Sequence, residues 1–156
     1  MSCRDRLMTL LEKAAAPYQF HHHPRAYTAQ EVASREHISG DRFAKVVMLV
    51  ADNRLAMAVT RANDQVDVQK VARVLAATEV RVAHEREFAD IFPDCEVGAM
   101  PPFGNLYGVP VVMDRRLAEY EDIVSQAGTH TETIALHFAD YERIVHPRVA
   151  DLALHA

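Results

Sequence analysis

Residues 97–104 read VGAMPPFG, and this run constrains the fold more than any other part of the chain. Proline lacks a backbone donor and has a fixed φ, whereas glycine adopts backbone conformations that are closed to other residues. Neither a helix nor a central strand tolerates two adjacent prolines flanked by glycines. The run therefore predicts a stiff loop, and the apolar segment 109–113 that follows it predicts a buried strand. Such a loop is either an ordinary tight connection or one wall of a small-molecule pocket.

The length and composition of the chain predict one domain over residues 1–156, large enough to bury a sizeable core. The longest apolar runs, at 46–51 and 109–113, are too short to cross a bilayer, and no secretory signal is recognisable. The two cysteines, Cys3 and Cys95, are isolated in sequence, which favours a reducing compartment without a disulfide framework. We therefore expect a cytoplasmic, monomeric protein with no membrane partner.

The formal net charge of −5 argues against a protein that coats nucleic acid nonspecifically, since phosphate binding depends on clustered Lys and Arg. Acidic residues crowd into 85–94 and 119–122. Basic residues are frequent in the first half of the chain, at Arg42, Lys45, Arg54, Arg61, Lys70, Arg73 and Arg81. This distribution is compatible with a small basic patch but not with a large one.

Apolar periodicity, capping residues and Pro or Gly breakers divide the chain into helices and strands. The predicted helices cover residues 3–16, 29–37, 68–76, 85–92 and 141–145, and Thr28, Asp67 and Asp140 are the predicted N-caps. The predicted strands cover residues 18–23, 43–51, 55–60, 80–83, 109–113, 121–126 and 133–138. This mixture of hairpins and helices predicts an α/β fold of the mixed α+β kind, with a central mixed β-sheet surrounded by helices.

Lys45 is the first candidate for chemistry, because it lies near the start of an otherwise apolar strand. A lysine in that position either extends to solvent at the edge of the strand or points into a cleft. In a cleft, its ammonium group would bind a phosphate or a polarised carbonyl.

The three consecutive histidines at 21–23 raise the question of a metal site. On a strand, His21 and His23 would share one face. Two imidazoles supply only half of a zinc site, and no Cys or Glu at ligand spacing completes it. We therefore expect neither a metal nor a cofactor.

Asp114, Gly128 and His130 are further candidates for a site. Asp114 follows the strand 109–113, where its carboxylate either satisfies a turn or faces a pocket. Gly128 and His130 lie in a turn between two strands, and the His130 ring either lies on the surface or interacts with a substrate. No serine or cysteine has an obvious partner base, and no nucleophile elbow or dinucleotide fingerprint is present. A hydrolase with this sequence would act without a covalent nucleophile.

Several short motifs occur in one order along the chain. They are His23-Pro24, the stretch 28–33, the stretch 44–47, the stretch 55–59, Asp67 with 70–72, the run 98–104, Asp114 and the Gly128 turn. This ordered set resembles the YbaK/EbsC family of aminoacyl-tRNA deacylases, which is related to the editing insertion of bacterial prolyl-tRNA synthetase. The resemblance runs from about residue 7 to residue 145.

The resemblance implies a free-standing hydrolase that acts in trans on the 3′ end of a mischarged tRNA, with a synthetase as a further partner. It implies removal of a small amino acid such as Ala, Cys or Ser, with tRNA for proline as the first candidate carrier. Lys45 matches the functional lysine of the family, and with Gly98 and Gly104 it forms the expected catalytic set. The expected substrate-binding residues are Thr28, Ala99, Met100, Pro101, Pro102, Phe103, Asp114, Gly128 and His130.

The amino-acid specificity stays open at this point, because Val46 follows the lysine where some alanine-editing members carry a polar residue. Two other functions also remain open. The same pocket could hold a nucleotide or an amino acid without turnover, as a binding module. A metal-dependent hydrolase that uses the histidine run would lose its activity with a chelator.

Overall fold

A computed structural model describes residues 2–154 of the chain. The helices are α1 (Cys3–Lys13), α2 (Ala29–Arg35), α3 (Val68–Leu75), α4 (Glu85–Phe88) and α5 (Phe138–Val145). The strands are β1 (Tyr18–His22), β2 (Phe43–Ala51), β3 (Arg54–Arg61), β4 (Val80–Val82), β5 (Val111–Asp114), β6 (Asp122–Gln126), β7 (Glu132–His137) and β8 (Arg148–Ala150).

These strands form one sheet in the order β1-β7-β6-β2-β3-β5-β8, while β4 pairs with the last residues of β2. The β2·β3 hairpin is antiparallel, whereas β6 runs parallel to β2 and β5 runs parallel to β3. Asp52 and Asn53 form the hairpin turn, and both have positive φ, as two-residue hairpin turns of the mirror-image type require. The mixed α/β fold expected from the sequence is therefore confirmed.

Alternating side chains of the central strands pack on opposite faces of the sheet. Met57 and Val59 of β3 belong to the main apolar cluster, which also contains Leu7 and Leu11 of α1. Ala58, between them, packs with the α3 side of the sheet. Each fully buried leucine side chain contributes about 1.5–3 kcal/mol to folding. The sheet is thus fixed from both sides, which holds the ends of its strands in defined positions.

Several element boundaries differ from the sequence prediction. The first helix ends at Lys13 because Ala15 has a positive φ of 54°. The helix that begins at Glu85 ends at Phe88, where the chain tightens into turns, with the Ile91 amide donating to the carbonyl of Phe88. The short strand β8 was not predicted, since its three residues carry no pattern of their own and pair only with β5.

The last helix also begins earlier than its predicted N-cap, Asp140. His137 occupies the N-cap position, and Phe138 belongs to α5 instead of the preceding strand. The reason is packing, because Tyr141 and Val145 of α5 are buried at helical spacing from Phe138. Asp140 instead bonds to the guanidinium of Arg143 one turn later.

Cys3 and Cys95 form a disulfide, so the expectation of a chain without disulfides is wrong. Their Cα atoms lie 5.2 Å apart although the residues are 92 positions apart in sequence. Only the packed fold brings α1 onto the segment before the 97–104 loop, and the Cys3 amide donates to the carbonyl of Asp94 there. A spacing of this length gives no sequence signal for pairing.

A membrane-spanning helix was not expected, and within residues 2–154 no helix has the length and apolar character that crossing a bilayer requires.

Candidate active site

A small pocket of about 120 Å³ opens where the start of α2, the first half of β2, the end of β6 and the 97–104 loop meet. Its lining residues are Ala29, Ala44, Lys45, Val46, Gly98, Met100 and Gln126. Three of the expected site residues, Lys45, Gly98 and Met100, therefore share one cavity. Most of the lining is small or apolar, so the polar ends of Lys45 and Gln126 dominate its chemistry.

Lys45 is half-buried on β2, and its side chain extends toward the segment that follows β3. Its Nζ donates to the backbone carbonyl oxygens of Ala62, at 3.3 Å, and of Asp64. Burial lowers the pKa of the Lys45 ammonium, and the nearby Asp64 carboxylate acts in the opposite direction. The lysine is thus held in place by the backbone while its charge stays close to the pocket.

A larger groove of about 320 Å³ shares Ala29 and Lys45 with the small pocket. Its other lining residues are Thr28, Gln30, Ala62, Asn63, Asp64 and Gln65, most of them polar. Lys45 therefore stands at the junction between a small, mostly apolar pocket and a wider polar groove.

Thr28 lines this groove, and it also caps α2. Its Oγ1 accepts a hydrogen bond from the Glu31 amide at 3.0 Å. The capping role predicted from the sequence is confirmed, and it places the first turn of α2 beside Lys45.

The 97–104 loop divides into two parts with different surroundings. Gly98 is exposed and has a φ of 84°, and Met100 is buried against the pocket. Val97 is also exposed, whereas Ala99, Pro101, Pro102, Phe103 and Gly104 are buried in the protein. Only the first part of the loop therefore faces the pocket.

The second part of the loop anchors the first. The Tyr141 hydroxyl donates to the carbonyl of Pro102 at 2.7 Å, and the ring of Phe103 packs edge-on against that of Tyr141. A Cβ at Gly104 would lie 2.5 Å from the carbonyl oxygen of Val109. Glycine is therefore required at position 104 by close packing, and the structure does not place Gly104 on the pocket wall.

His130 contacts the start of the 97–104 loop and the residue before it. Its Nε2 lies 2.9 Å from the carbonyl oxygen of Val97, and its backbone amide donates to Glu96 at 2.9 Å. A carbonyl can only accept, so Nε2 carries a proton in this contact. The ring is buried against that of Tyr27, with 4.8 Å between their centroids. His130 therefore positions residues 96–98 and does not itself line the pocket.

Gly128 joins the same arrangement through its backbone. Its amide donates to the carbonyl of Ala99 at 2.9 Å, and its carbonyl accepts from the Glu96 amide at 2.8 Å. Gly128 has a φ of 108°, and a Cβ there would lie 2.8 Å from the Cys3 sulfur. The disulfide, Gly128 and the 97–104 loop thus form one packed unit beside the pocket.

Asp114 is fully buried at the end of β5, where its carboxylate serves the backbone. It accepts hydrogen bonds from the amides of Arg116, at 2.9 Å, and Leu152, at 3.0 Å. The Arg116 guanidinium lies 3.8 Å from Asp114 and 3.9 Å from Asp64. Asp114 is therefore linked to the groove through charge and is not part of the pocket lining.

Gln126 lines the pocket but was not singled out by the sequence. It is 6% exposed, and its side-chain carbonyl oxygen has no hydrogen-bond partner among the described residues. The available signal was a long polar side chain at the end of a short strand whose centre, Ile123 and Val124, is apolar. That signal becomes informative only when the register of β6 against β2 is known.

The histidine run does not come together as a metal site. His21 and His22 are exposed, whereas His23 is buried with its Nδ1 2.7 Å from the carbonyl oxygen of Pro24. Across residues 2–154, the His, Cys, Asp and Glu side chains form no group of three or more that could hold a metal ion.

The basic residues of the first half are largely paired. Arg61 binds Asp64 at 2.7 Å and Lys70 binds Asp151 at 2.9 Å, whereas Arg73 is exposed on α3.

A further cavity of about 270 Å³ lies at the β1·β7 edge of the sheet, and none of the expected site residues line it.

The chain matches the model of a known protein family. The model of the aminoacyl-tRNA editing domain matches residues 23–144, which is more than half of the chain. The protein belongs to this family. The matched segment contains Lys45, the 97–104 loop, Gln126 and His130.

Two of the curated relatives that the chain matches are proline–tRNA ligases. Proline–tRNA ligase of Bacillus cereus (strain G9842) is 27% identical over 114 residues, covering 73% of this chain and 19% of the ligase. Proline–tRNA ligase 1 of Bacillus thuringiensis subsp. konkukian is 28% identical over 108 residues, covering 69% of this chain and 18% of the ligase. The chain thus matches less than a fifth of the length of these relatives.

Solved structures share the whole fold. A crystal structure provisionally assigned as a trans-editing enzyme for prolyl-tRNA synthetase has a TM-score of 0.85 and 19% identity, with 99% of both chains covered. The crystal structure of a hypothetical protein has a TM-score of 0.86 and 14% identity, covering 96% of this chain and 99% of the other. At these identities the likeness establishes the fold alone.

Proposed function

We propose that this protein hydrolyses, in trans, the ester between a small amino acid and the 3′ end of a mischarged tRNA, with tRNA for proline as the first carrier. One observation carries the proposal: in a chain of the editing-domain family, Lys45 stands between a 120 Å³ pocket and a 320 Å³ polar groove. The pocket would take the amino acid, and the groove would take the terminal adenosine.

The size of the pocket supports a small amino acid. A buried cavity of about 150 Å³ accommodates a benzene molecule. At about 120 Å³, the pocket beside Lys45 suits the side chain of Ala, Ser or Cys. Side chains larger than that of Thr would be excluded by Met100 and Val46, which form part of its apolar wall.

Lys45 would bind a phosphate or ribose oxygen of the terminal adenosine. An ammonium group has three donors, and two of them serve the carbonyls of Ala62 and Asp64. These two hydrogen bonds fix the orientation of the ammonium group and therefore the direction of its third N–H. The substrate oxygen that accepts from this N–H would then have a defined position. Fixing the substrate in this way is a large part of what catalysis of a reactive ester requires.

The chemical step needs no covalent nucleophile. Water, assisted by a substrate hydroxyl, adds to the ester carbonyl carbon and gives up one proton. Negative charge develops on the carbonyl oxygen, and backbone amides near Gly98 would stabilise it. The bond from carbon to the ribose oxygen then breaks, and that oxygen takes a proton. A cysteinyl substrate could instead cyclise through its own thiol.

The other expected site residues would hold the groups that contact the substrate in place. His130, Gly128 and the buried residues Ala99 and 101–104 would hold Gly98 and Met100 against the substrate. Asp114 would orient Arg116 beside the groove, and Thr28 would fix the first turn of α2.

The protein would meet the tRNA mainly at its acceptor end. Arg42, Arg61, Lys70 and Arg73 are the candidate phosphate contacts, with Arg73 the most exposed of those on α3. The relationship to proline–tRNA ligases supports a synthetase as a further partner.

A deacylation panel tests the proposal. Transfer RNA for proline is charged separately with Ala, Ser, Cys and Pro, and the loss of each ester is followed with and without the protein. The proposal expects accelerated hydrolysis of at least one small aminoacyl ester and protection of the prolyl ester. Absence of deacylation, together with a saturable thermal shift on adding a nucleotide or an amino acid, would instead identify a binding module.

A further inference from the structure

The side-chain amide of Gln126 has no role in the mechanism above, although it occupies the pocket. Gln126 is 6% exposed, and its Oε1 is buried without a hydrogen-bond partner in the described part of the chain. Buried side-chain acceptors are normally paired, and each exception calls for an explanation. A ligand that supplies a donor would be such an explanation.

Strand register places Gln126 next to Lys45. In the parallel β2·β6 pair, Phe43 lies beside Val124 and Ala44 beside Ser125. The next positions along the two strands are Lys45 and Gln126, so both side chains leave the same face of the sheet. The site therefore presents a cation and a neutral amide side by side.

The neighbouring side chains do not satisfy the side-chain oxygen of Gln126. Thr133, its partner across the β6·β7 pair, donates its hydroxyl to Glu36 at 2.7 Å. The side chains of Ala29, Ala44, Val46 and Met100 in the pocket lining carry no hydrogen-bond donor. Lys45 is the one lining residue with side-chain donors besides Gln126 itself, and its Nζ donates to the carbonyls of Ala62 and Asp64. A molecule that fills the pocket would then supply the donor for the Gln126 oxygen.

Two groups of a small aminoacyl ester could supply that donor: its α-ammonium group or a side-chain hydroxyl. An ammonium beside Gln126 would be a buried charge with one neutral acceptor, next to the like charge of Lys45. A hydroxyl is neutral, and it both donates and accepts, as does the amide. Charge and burial therefore favour the hydroxyl.

We propose that Gln126 is a specificity-determining residue that binds the side-chain hydroxyl of the substrate, so that the preferred ester is seryl or threonyl and not alanyl. This inference rests on the proposed deacylase function and adds the substrate class. A site built to bond a hydroxyl discriminates strongly against the analogue that lacks it, because its own polar group is then left unpaired.

The experiment compares seryl, threonyl and alanyl esters on the same tRNA for proline, with the wild-type protein and the variants Gln126→Leu and Gln126→Met. The wild type is expected to hydrolyse the seryl or threonyl ester with the highest kcat/KM. Both variants are expected to lose about tenfold or more on the hydroxyl substrates, the effect of one hydrogen bond, and to change little on the alanyl ester.

Ser125→Ala is the matched control, since Ser125 is a buried polar residue of the same strand but does not line the pocket. Its hydroxyl donates to the backbone carbonyl of Gln126 at 3.1 Å, so this variant separates a loss of backbone support from a loss of the side-chain amide. Circular dichroism checks that each variant folds, and Gln126→Met retains side-chain length if Gln126→Leu does not fold. A wild-type preference for the alanyl ester, or an equal loss on all three esters in the variants, would overturn the role of Gln126 while leaving deacylation intact. Absence of hydrolysis of every ester by the wild type would overturn the proposed function as well.

Discussion

Lys45 and Thr60 lie directly opposite each other in the antiparallel β2·β3 pair. Side chains paired in this way share one face of the sheet, so the hydroxyl of Thr60 lies on the face from which Lys45 reaches the pocket. Gln126 follows on β6 at the neighbouring register position. Three polar side chains thus lie side by side on neighbouring strands of the sheet, and this row is the structural basis of the candidate site.

Thr60→Val should leave folding stability unchanged or raise it by up to about 1 kcal/mol. Thr60 is fully buried, and its Oγ1 has no hydrogen-bond partner among the described residues. Replacing an unpaired buried hydroxyl by a methyl group of similar shape removes a desolvation cost. Urea unfolding measures the change, and a clear loss of stability would show that the hydroxyl has a partner.

Gly98→Ala should reduce deacylation by about tenfold or more, because a small displacement of a positioning group is costly to catalysis. Gly98 has a φ of 84°, where any other side chain strains the backbone, and an added Cβ would lie in van der Waals contact with the His130 ring at 3.6 Å. Gly108→Ala is the matched control, since Gly108 has a φ of 70°, has open space around its Cβ position and does not line the pocket.

Both glycine variants should lose about 1–2 kcal/mol of stability, the cost of a side chain in the left-handed region. Only Gly98→Ala should lose activity at a temperature where both variants are folded. Equal activity of the two variants would remove Gly98 from the site.

Reduction of the Cys3–Cys95 disulfide should lower the melting temperature. Closing a loop of about 100 residues stabilises a fold by up to about 4.7 kcal/mol in the chain-entropy model, and measured effects are commonly about 2–4 kcal/mol. Thermal unfolding with and without dithiothreitol measures the shift, and Cys3→Ser should melt at the reduced temperature under both conditions. Two titratable thiols in the native, unreduced protein would contradict the pairing.

The catalysed part of the deacylation rate should fall as the pH rises. The fall should begin below pH 10.5, the ordinary pKa of lysine, because burial lowers the pKa of Lys45. The ammonium binds substrate only while it is protonated, and a lowered pKa means that it loses its proton at a lower pH. Activity should therefore fall on the alkaline side.

Lys45→Arg supplies the comparison for this pH dependence. The guanidinium stays charged, so any activity that this variant retains should lack the alkaline decline. The measurement is the pH profile of kcat/KM after subtraction of spontaneous ester hydrolysis. An identical alkaline limb in the two proteins would assign the titration to another group.

Much of the fold was predictable because it depends on local patterns. The hairpin at Asp52-Asn53, the caps at Thr28 and Asp67, and most of the strands follow from turn chemistry and apolar periodicity. The segment around Phe138 was misassigned because its last apolar residue continues both the strand pattern and the helix stripe. Tertiary packing of Tyr141 decided between them.

The candidate site was only partly predictable, because its composition depends on register and on contacts between distant segments. Lys45 was conspicuous because it is a charged residue in an apolar strand. The 97–104 loop was conspicuous because its glycines and prolines are incompatible with a helix or a central strand. The sequence could not show that Asp114 and the two prolines lie outside the pocket lining, because their burial depends on how distant segments pack. Gln126 became visible only once β6 was aligned with β2.

The most direct test of the account is the kcat/KM of Lys45→Ala on the small aminoacyl ester that the wild type hydrolyses best. Lys45 stands at the junction of pocket and groove, so its loss should reduce kcat/KM by about a hundredfold or more, as removal of a positioned polar group does in related chemistry. Lys13→Ala, an exposed lysine at the end of α1, should remain close to wild type. Wild-type kcat/KM in Lys45→Ala would contradict the assignment of this pocket as the editing site.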